Sequence, residues 1–385
     1  MGLVQVAAPA GATTAAAVAG AVVPDLDPFY AAPANIAGYA PGAVVGTRTV
    51  AAKSSIAVNA WQISYRTNDS HDQPELAVTT VLVPTAAWTG AGGRPAVSEQ
   101  TAEYSTGTQC APSYSVSTGG SVLNASAFLG KGWAVAVPDY EGPKSAWMAG
   151  PQAGHAVLDG VRAVRNFTAD GVGATSPWAL DGYSGGAEAT GWAAQLQASY
   201  APELHFVAAA LGGLPADPGA VAKSLDGGLF SGFEFAATYG LNADFPEAGI
   251  PAILNANGQR DLAAVKGKCL SDILGGFALK TLSSDSTTRT PLTVPSVAAV
   301  LQVNTLGASA PKMPIFDYHA DTDEVVPVAQ DTTAVRAWCA KGASVEIIRD
   351  LVGEHIEEGA FRAASAQQFI ANEFAGKKPT NNCGY

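Results

Sequence analysis

The sequence predicts an α/β fold: a mostly parallel sheet with crossover helices, opened by antiparallel strands and interrupted by a large, mostly helical insertion. Three observations lead to it. From about Arg94 short apolar runs alternate with helical ones, the pattern of strands joined by crossover helices. The stretch Trp178-Ala-Leu-Asp-Gly-Tyr-Ser184-Gly-Gly passes from an apolar run into an Ala-rich amphipathic run, which reads as strand, tight turn and helix. Between residues 215 and 308 the alternation lapses into helical runs and Ser/Thr-rich links, and it resumes afterwards.

Taken in order, residues 1–26 are Ala-rich, with small-residue sites such as Ala16-Ala-Val-Ala19 but no Lys or Arg ahead of them. They read as the remnant of an export signal whose basic n-region is missing. After a Pro-rich entry, residues 44–50, 58–65 and 76–83 alternate and are rich in β-branched side chains, so they form an antiparallel lead-in. Residues 132–137 read as a buried strand, and 154–167 as a helix with Val157, Leu158, Val161 and Val164 on one side. The helix after Ser184 runs to about Tyr200, and a strand over 205–211 closes on Gly212-Gly213. In the insertion 230–241 and 251–265 are helical; beyond it come a strand at 313–318, a helix at 329–341, a strand at 344–349 and a final helix at 358–374. The chain thus divides into a core of 27–214 and 309–385 and a cap of 215–308.

Of 385 residues, 48% are hydrophobic and 14% charged, which suits a substantial core. A net charge of −12, with no basic cluster to offset it, argues against nucleic acid or an anionic membrane as partner. The apolar N-terminal stretch is interrupted by Gly, Pro and Thr, so no transmembrane segment is expected. Cys110, Cys269, Cys339 and Cys383 are even in number, widely spaced and free of C-x-x-C patterns. Two disulfides in an exported protein fit this better than four reduced thiols.

The chemistry centres on Gly182-Tyr183-Ser184-Gly185-Gly186, a G-x-S-x-G. With 42 glycines in the chain the pattern alone is weak, and an ordinary glycine-rich turn would share it. Its strand-turn-helix setting is what points to a nucleophile elbow, where small neighbours let a strained serine stand between strand and helix. Such a serine needs a base and an acid, which follow it in the order acid, then His. His71 and His155 precede the serine, His205 has no suitable acid before it, and His319 comes before the best acids. His355, in a loop after a strand, has both order and setting. Asp321, Asp323 and Glu324 follow the strand ending near His319, and order does not separate them. A metal site built from His319 and these acids would lack further ligands.

Together with the elbow, Cys110-Ala-Pro-Ser-Tyr114, Ser199-Tyr-Ala-Pro-Glu-Leu204, Asn257-Gly-Gln-Arg260, His319-Ala-x-x-Asp323-Glu and Glu354-His355 resemble the secretory lipases, over about Asp27 to the C-terminus. The resemblance implies an α/β-hydrolase fold with a large helical cap, or lid, inserted in the core. It also implies Ser184, Asp323 and His355 as nucleophile, acid and base, and disulfides Cys110–Cys269 and Cys339–Cys383. It assigns the oxyanion hole to Gly185 and to Tyr104, which stands where the family has an Asp. The implied activity is that of a secreted carboxylic-ester hydrolase, a triacylglycerol lipase, with no metal or organic cofactor. Its partners would be a lipid or acyl-ester substrate and, transiently, a lipid–water interface. A short-chain esterase or acyltransferase with the same triad is the nearest alternative. A non-catalytic binding protein on the same fold is a further one, against which the intact Ser/Asp/His set argues. Leu229, Phe230, Phe233, Phe235 and Leu241 are expected to offer the acyl chain an apolar channel, the alternative being a cap packed for stability alone.

Overall fold

The computed structural model describes residues 22–102, 104–120, 124–168 and 171–384. The expected export remnant over residues 1–26 lies outside them except for its last five positions. Nine strands among the described residues form one sheet: β1 (Val44–Thr49), β2 (Val58–Asn68), β3 (Pro74–Pro84), β4 (Ala96–Gln100), β5 (Ala134–Pro138), β6 (Trp178–Tyr183), β7 (Phe206–Gly212), β8 (Ile315–Ala320) and β9 (Val345–Asp350). Their order is β1-β2-β3-β5-β4-β6-β7-β8-β9. The pairs from β1 to β5 are antiparallel and those from β5 to β9 parallel. The β2–β3 hairpin turns where Asp69 accepts the backbone N–H groups of His71 and Gln73, with Asp72 in the left-handed region at φ 59°.

The helices, in chain order, begin with α1 (Pro112–Ser117), α2 (Ala125–Gly130), α3 (Gly150–Asn166) and α4 (Gly185–Tyr200). Between β7 and β8 come α5 (Pro218–Leu225), α6 (Gly232–Asp244), α7 (Ile250–Ile253), α8 (Ala256–Val265), α9 (Leu270–Phe277) and α10 (Pro295–Val303). The last two are α11 (Val328–Ala340) and α12 (His355–Phe374). Alternation along the strands feeds two separate cores. In β5, Ala134 and Ala136 join the cluster under α3, α4 and α11, while Val135 and Val137 join the one under α2 and α12. Burial of α3 is nearly continuous, because it lies against both α4 and the sheet.

Three of the differences from the expected boundaries have a clear local cause. The helix expected from residue 154 starts at Gly150, because Pro151 is tolerated in a first turn. The final helix starts at His355 rather than 358, since the Glu354 carboxylate accepts the Glu357 N–H and caps it. The helix expected over 251–265 is two helices. Leu254 leaves to pair with Ser286, and Asn255 starts α8 by accepting the N–H groups of Asn257 and Gly258.

The helices between β7 and β8 have cores of their own. Leu241, Phe245, Ile250, Val297 and Val300 pack on Ala146 and Ala149, and Phe235, Val265, Ile273 and Phe277 surround Trp147 and Met148. A Cβ on Gly240 would lie 2.1 Å from the Trp147 backbone nitrogen, so α6 rests directly on that segment. Cys110–Cys269 ties the start of α9 to the approach to α1, and Cys339–Cys383 ties α11 to the C-terminal tail. With sequence separations of 159 and 44, chain entropy alone assigns them about 5 and about 4 kcal/mol. No helix among the described residues is long and apolar enough to cross a membrane.

Candidate active site

Ser184 sits between β6 and α4 with φ 57° and ψ −127°, a conformation that few non-glycine residues adopt. Two contacts explain its glycines. A Cβ on Gly182 would be 2.2 Å from the Gly186 carbonyl, and one on Gly186 would be 2.1 Å from the Gln100 carbonyl. Any side chain at either position would push α4 away from β6 and β4. The Ser184 N–H is fixed to the Gly212 carbonyl at 2.8 Å. The Gly185 N–H is the first of α4, so it has no acceptor within the helix, and the positive end of the helix dipole lies at the serine.

Residues 171 positions apart meet at this point. His355 Nε2 is 2.8 Å from Ser184 Oγ, and His355 Nδ1 is 2.7 Å from Asp323 Oδ2. The other Asp323 oxygen accepts the N–H groups of Val325 and Val326 at 2.9 and 2.7 Å, which prevents the carboxylate from rotating. Burial alone would raise the Asp323 carboxyl, but hydrogen bonds from His319 and His355 outweigh it and hold the group well below the usual carboxylate range. The Tyr183 hydroxyl donates to the His355 carbonyl, and the two rings lie 5.2 Å apart, so the first turn of α12 is held against the elbow.

The other candidates fall away by position. Asp321 is exposed; Glu324 is exposed too and accepts the His355 backbone N–H. His71 is exposed and pairs with Glu247, His155 stacks on Tyr200, and His205 is exposed at the start of β7. His319 is buried against Asp323 and Asp331. Tyr104, the other residue expected at an oxyanion hole, lines the same cavity as Ser184, and its N–H donates to Glu141 Oε1 at 3.0 Å. Glu141 is buried beneath it with a second oxygen still lacking a partner, and such a group draws in the nearest backbone donor.

Ser184 and His355 open into a cavity of about 880 Å³. Its walls are mostly apolar: Trp147 and Met148, Phe230 just before α6 and Phe233 in its first turn, and Leu270 and Leu274 from α9. The expected channel residues divide. Phe230 and Phe233 line the cavity, whereas Phe235 and Leu241 point into the cores between helices and Leu229 is exposed. The turn of α6 sets the division, since residues two apart on a helix face different ways. Sequence reasoning named Tyr183 and His319 as motif residues but not the contacts they make, Tyr183 with the His355 carbonyl and His319 with Asp323, and it missed Glu141.

Residues 109–382 match the sequence model of the family described as secretory lipase. Lipase A of Moesziomyces aphidis is 36% identical over 382 residues, covering 93% of this chain and 82% of that protein. A secreted triacylglycerol lipase of Malassezia globosa is 32% identical, covering 94% and 80%. The crystal structure of Candida antarctica lipase A in its closed state superimposes with a TM-score of 0.88 at 33% identity, covering 95% of this chain and 90% of that one. A protein of Mycobacterium tuberculosis described as a probable inactive lipase is also 32% identical over 94% of the chain.

Proposed function

Since the chain belongs to the secretory lipase family, we propose that it is a secreted triacylglycerol lipase in which Ser184, His355 and Asp323 act through an acyl-enzyme. His355 Nε2 takes the proton of Ser184 Oγ as the oxygen attacks the ester carbonyl, and returns it to the departing alcohol. Water, deprotonated by the same nitrogen, then attacks the acyl-serine and releases the fatty acid. Asp323 holds the His355 tautomer and balances the imidazolium that forms twice in each cycle. The Gly185 N–H faces the oxyanion. Segment 215–308 serves as the cap, with α5, α6 and α9 forming the roof over the acyl chain. The two disulfides and the company of secreted relatives support an extracellular setting.

One observation carries the reading: the unbroken Ser184–His355–Asp323 hydrogen-bonded chain stands at the wall of a large apolar cavity. A binding protein would have no use for the strained serine or for a buried Asp–His pair in such a place. The cavity also favours a lipase over a short-chain esterase, as an acetyl group would leave most of it unfilled. The test is hydrolysis across p-nitrophenyl esters of rising chain length and emulsified long-chain triacylglycerol. Turnover of the long-chain emulsion is expected. Turnover confined to acetyl and butyryl esters would leave the short-chain esterase in its place.

A further inference from the structure

We infer that His319 is a doubly protonated imidazolium that positions Asp323 and offsets part of its charge, which sets how far into acid the triad works. The inference rests on the triad proposed above. His319 lies on β8 with no exposed surface, and its Nε2 is 3.3 Å from Asp323 Oδ2, the same oxygen that His355 Nδ1 contacts at 2.7 Å. Nε2 is also 2.8 Å from the Val326 carbonyl. A carbonyl only accepts, so Nε2 carries a hydrogen. Nδ1 is 2.8 Å from Asp331 Oδ2, which accepts Arg349 Nη2 at 3.0 Å as well. A carboxylate oxygen already paired with a guanidinium is an acceptor for the ring too, so Nδ1 also carries a hydrogen.

The charges around the ring sustain this state. Asp331 on α11 and Asp323 after β8 flank it, and Arg349 on β9 bridges Asp331 to Asp317 on β8. From α12 it is faced by His355 and by Glu358, whose carboxyl burial and the neighbouring Asp350 push up to about 7. Burial alone would strip a proton from His319. Hydrogen bonds and charges from Asp323 and Asp331 outweigh that and push it up to about 10. The row Asp323, His319, Asp331, Arg349 therefore alternates in sign, which lets these charges remain inside the protein.

The chemical consequence follows from the shared oxygen. Asp323 stabilises the imidazolium form of His355; a cation on the same Oδ2 draws on the same negative charge and weakens that effect. Removing that cation should therefore move the acid limb of activity upward.

Two measurements on the intact chain test the idea. Nitrogen-15 NMR of the wild-type protein should show two ring N–H groups on His319 at pH 8, assigned by their loss in His319→Gln. A single ring N–H at pH 8 overturns the proposal. In His319→Gln the acid limb of kcat/KM should move up by about one pH unit, as expected for losing a nearby charge at intermediate dielectric. A limb that stays in place while activity falls equally at every pH means a structural role and also overturns it. Should that variant fail to fold, His319 is assigned by exclusion with His71→Gln, His155→Gln, His205→Gln and His355→Gln. Asp331→Asn then serves in its place, with loss of the Nδ1 hydrogen below pH 8 and the same upward movement expected; no change in either contradicts the proposal. Wild-type protein with both ring hydrogens but no ester hydrolysis would defeat the triad reading and the positioning role with it, while the ring's charge would stand.

Discussion

At Ser184 the backbone conformation matters as much as the hydroxyl. A non-glycine residue at φ 57° and ψ −127° stores strain of about 1–3 kcal/mol, which the surroundings must hold in place. The motif made this residue legible in the sequence, and exclusion by chain order made His355 legible, because both arguments need only position along the chain. The acid was not separable in that way. Asp321, Asp323 and Glu324 share one loop, and what distinguishes Asp323 is that its carboxylate turns inward onto two N–H groups of the following residues while its neighbours face solvent. His319 was legible as a motif residue but not as a partner of Asp323, since its setting depends on β9 and α11. Asp323→Asn should lower kcat about 10⁴-fold, the loss typical of a triad acid that sets a tautomer. Asp321→Asn should change it less than about threefold, as expected for an exposed side chain. Steady-state hydrolysis of one soluble ester by both variants checks the ranking, and the reverse order would move the acid role to Asp321.

Among the elements, the elbow depends on α4 approaching β6 and β4 without intervening side chains. Gly186→Ala places a methyl carbon 2.1 Å from the Gln100 carbonyl, and backbone does not yield as a side chain does. The variant should lose about 3 kcal/mol of stability, at the upper end of overpacking costs, and should lose ester hydrolysis even where it stays folded. Thermal unfolding together with an activity assay checks both; a variant of normal stability and activity would mean the contact is looser than described. The three lead-in strands were read from alternation, because period 2 survives in a short segment, whereas β4 was given no range of its own. Helix starts were read less well. Glu354, Pro151 and Asn255 act through one or two hydrogen bonds or a missing N–H, and hydrophobic periodicity does not register them. The channel residues were legible as apolar but not by the direction they face, which depends on how α6 is rotated against Trp147.

The molecule as a whole buries many acids, and this sets its stability against pH. Burial pushes Asp139 and Asp181 up to about 7 and Glu75 and Glu188 up to about 8. In the unfolded chain these groups ionise near pH 4 to 4.5. Between that pH and about 8 the unfolded state releases protons that the folded state retains, so stability falls as pH rises, by up to about 1.4 kcal/mol per unit for each group. His319, pushed up to about 10, acts in the same direction above its unfolded value. Asp323, held low, acts oppositely and only below about pH 4, where its unfolded counterpart takes up a proton first. The melting temperature should therefore be higher at pH 5 than at pH 8, and a steady rise over that interval would contradict the burial of these carboxyls. The sheet and the helical insertion were legible because each extends over tens of residues, whereas the disulfide pairing came only with the family resemblance, as four cysteines allow three connectivities. The most direct test of the central claim, that Ser184 is the nucleophile served by His355, is peptide mass spectrometry after reaction with a fluorophosphonate. One adduct per chain is predicted, on the peptide containing Ser184, absent in Ser184→Ala and formed at least about 10⁴-fold more slowly in His355→Ala. An adduct on another serine, or a folded Ser184→Ala that hydrolyses esters at the wild-type rate, would contradict it.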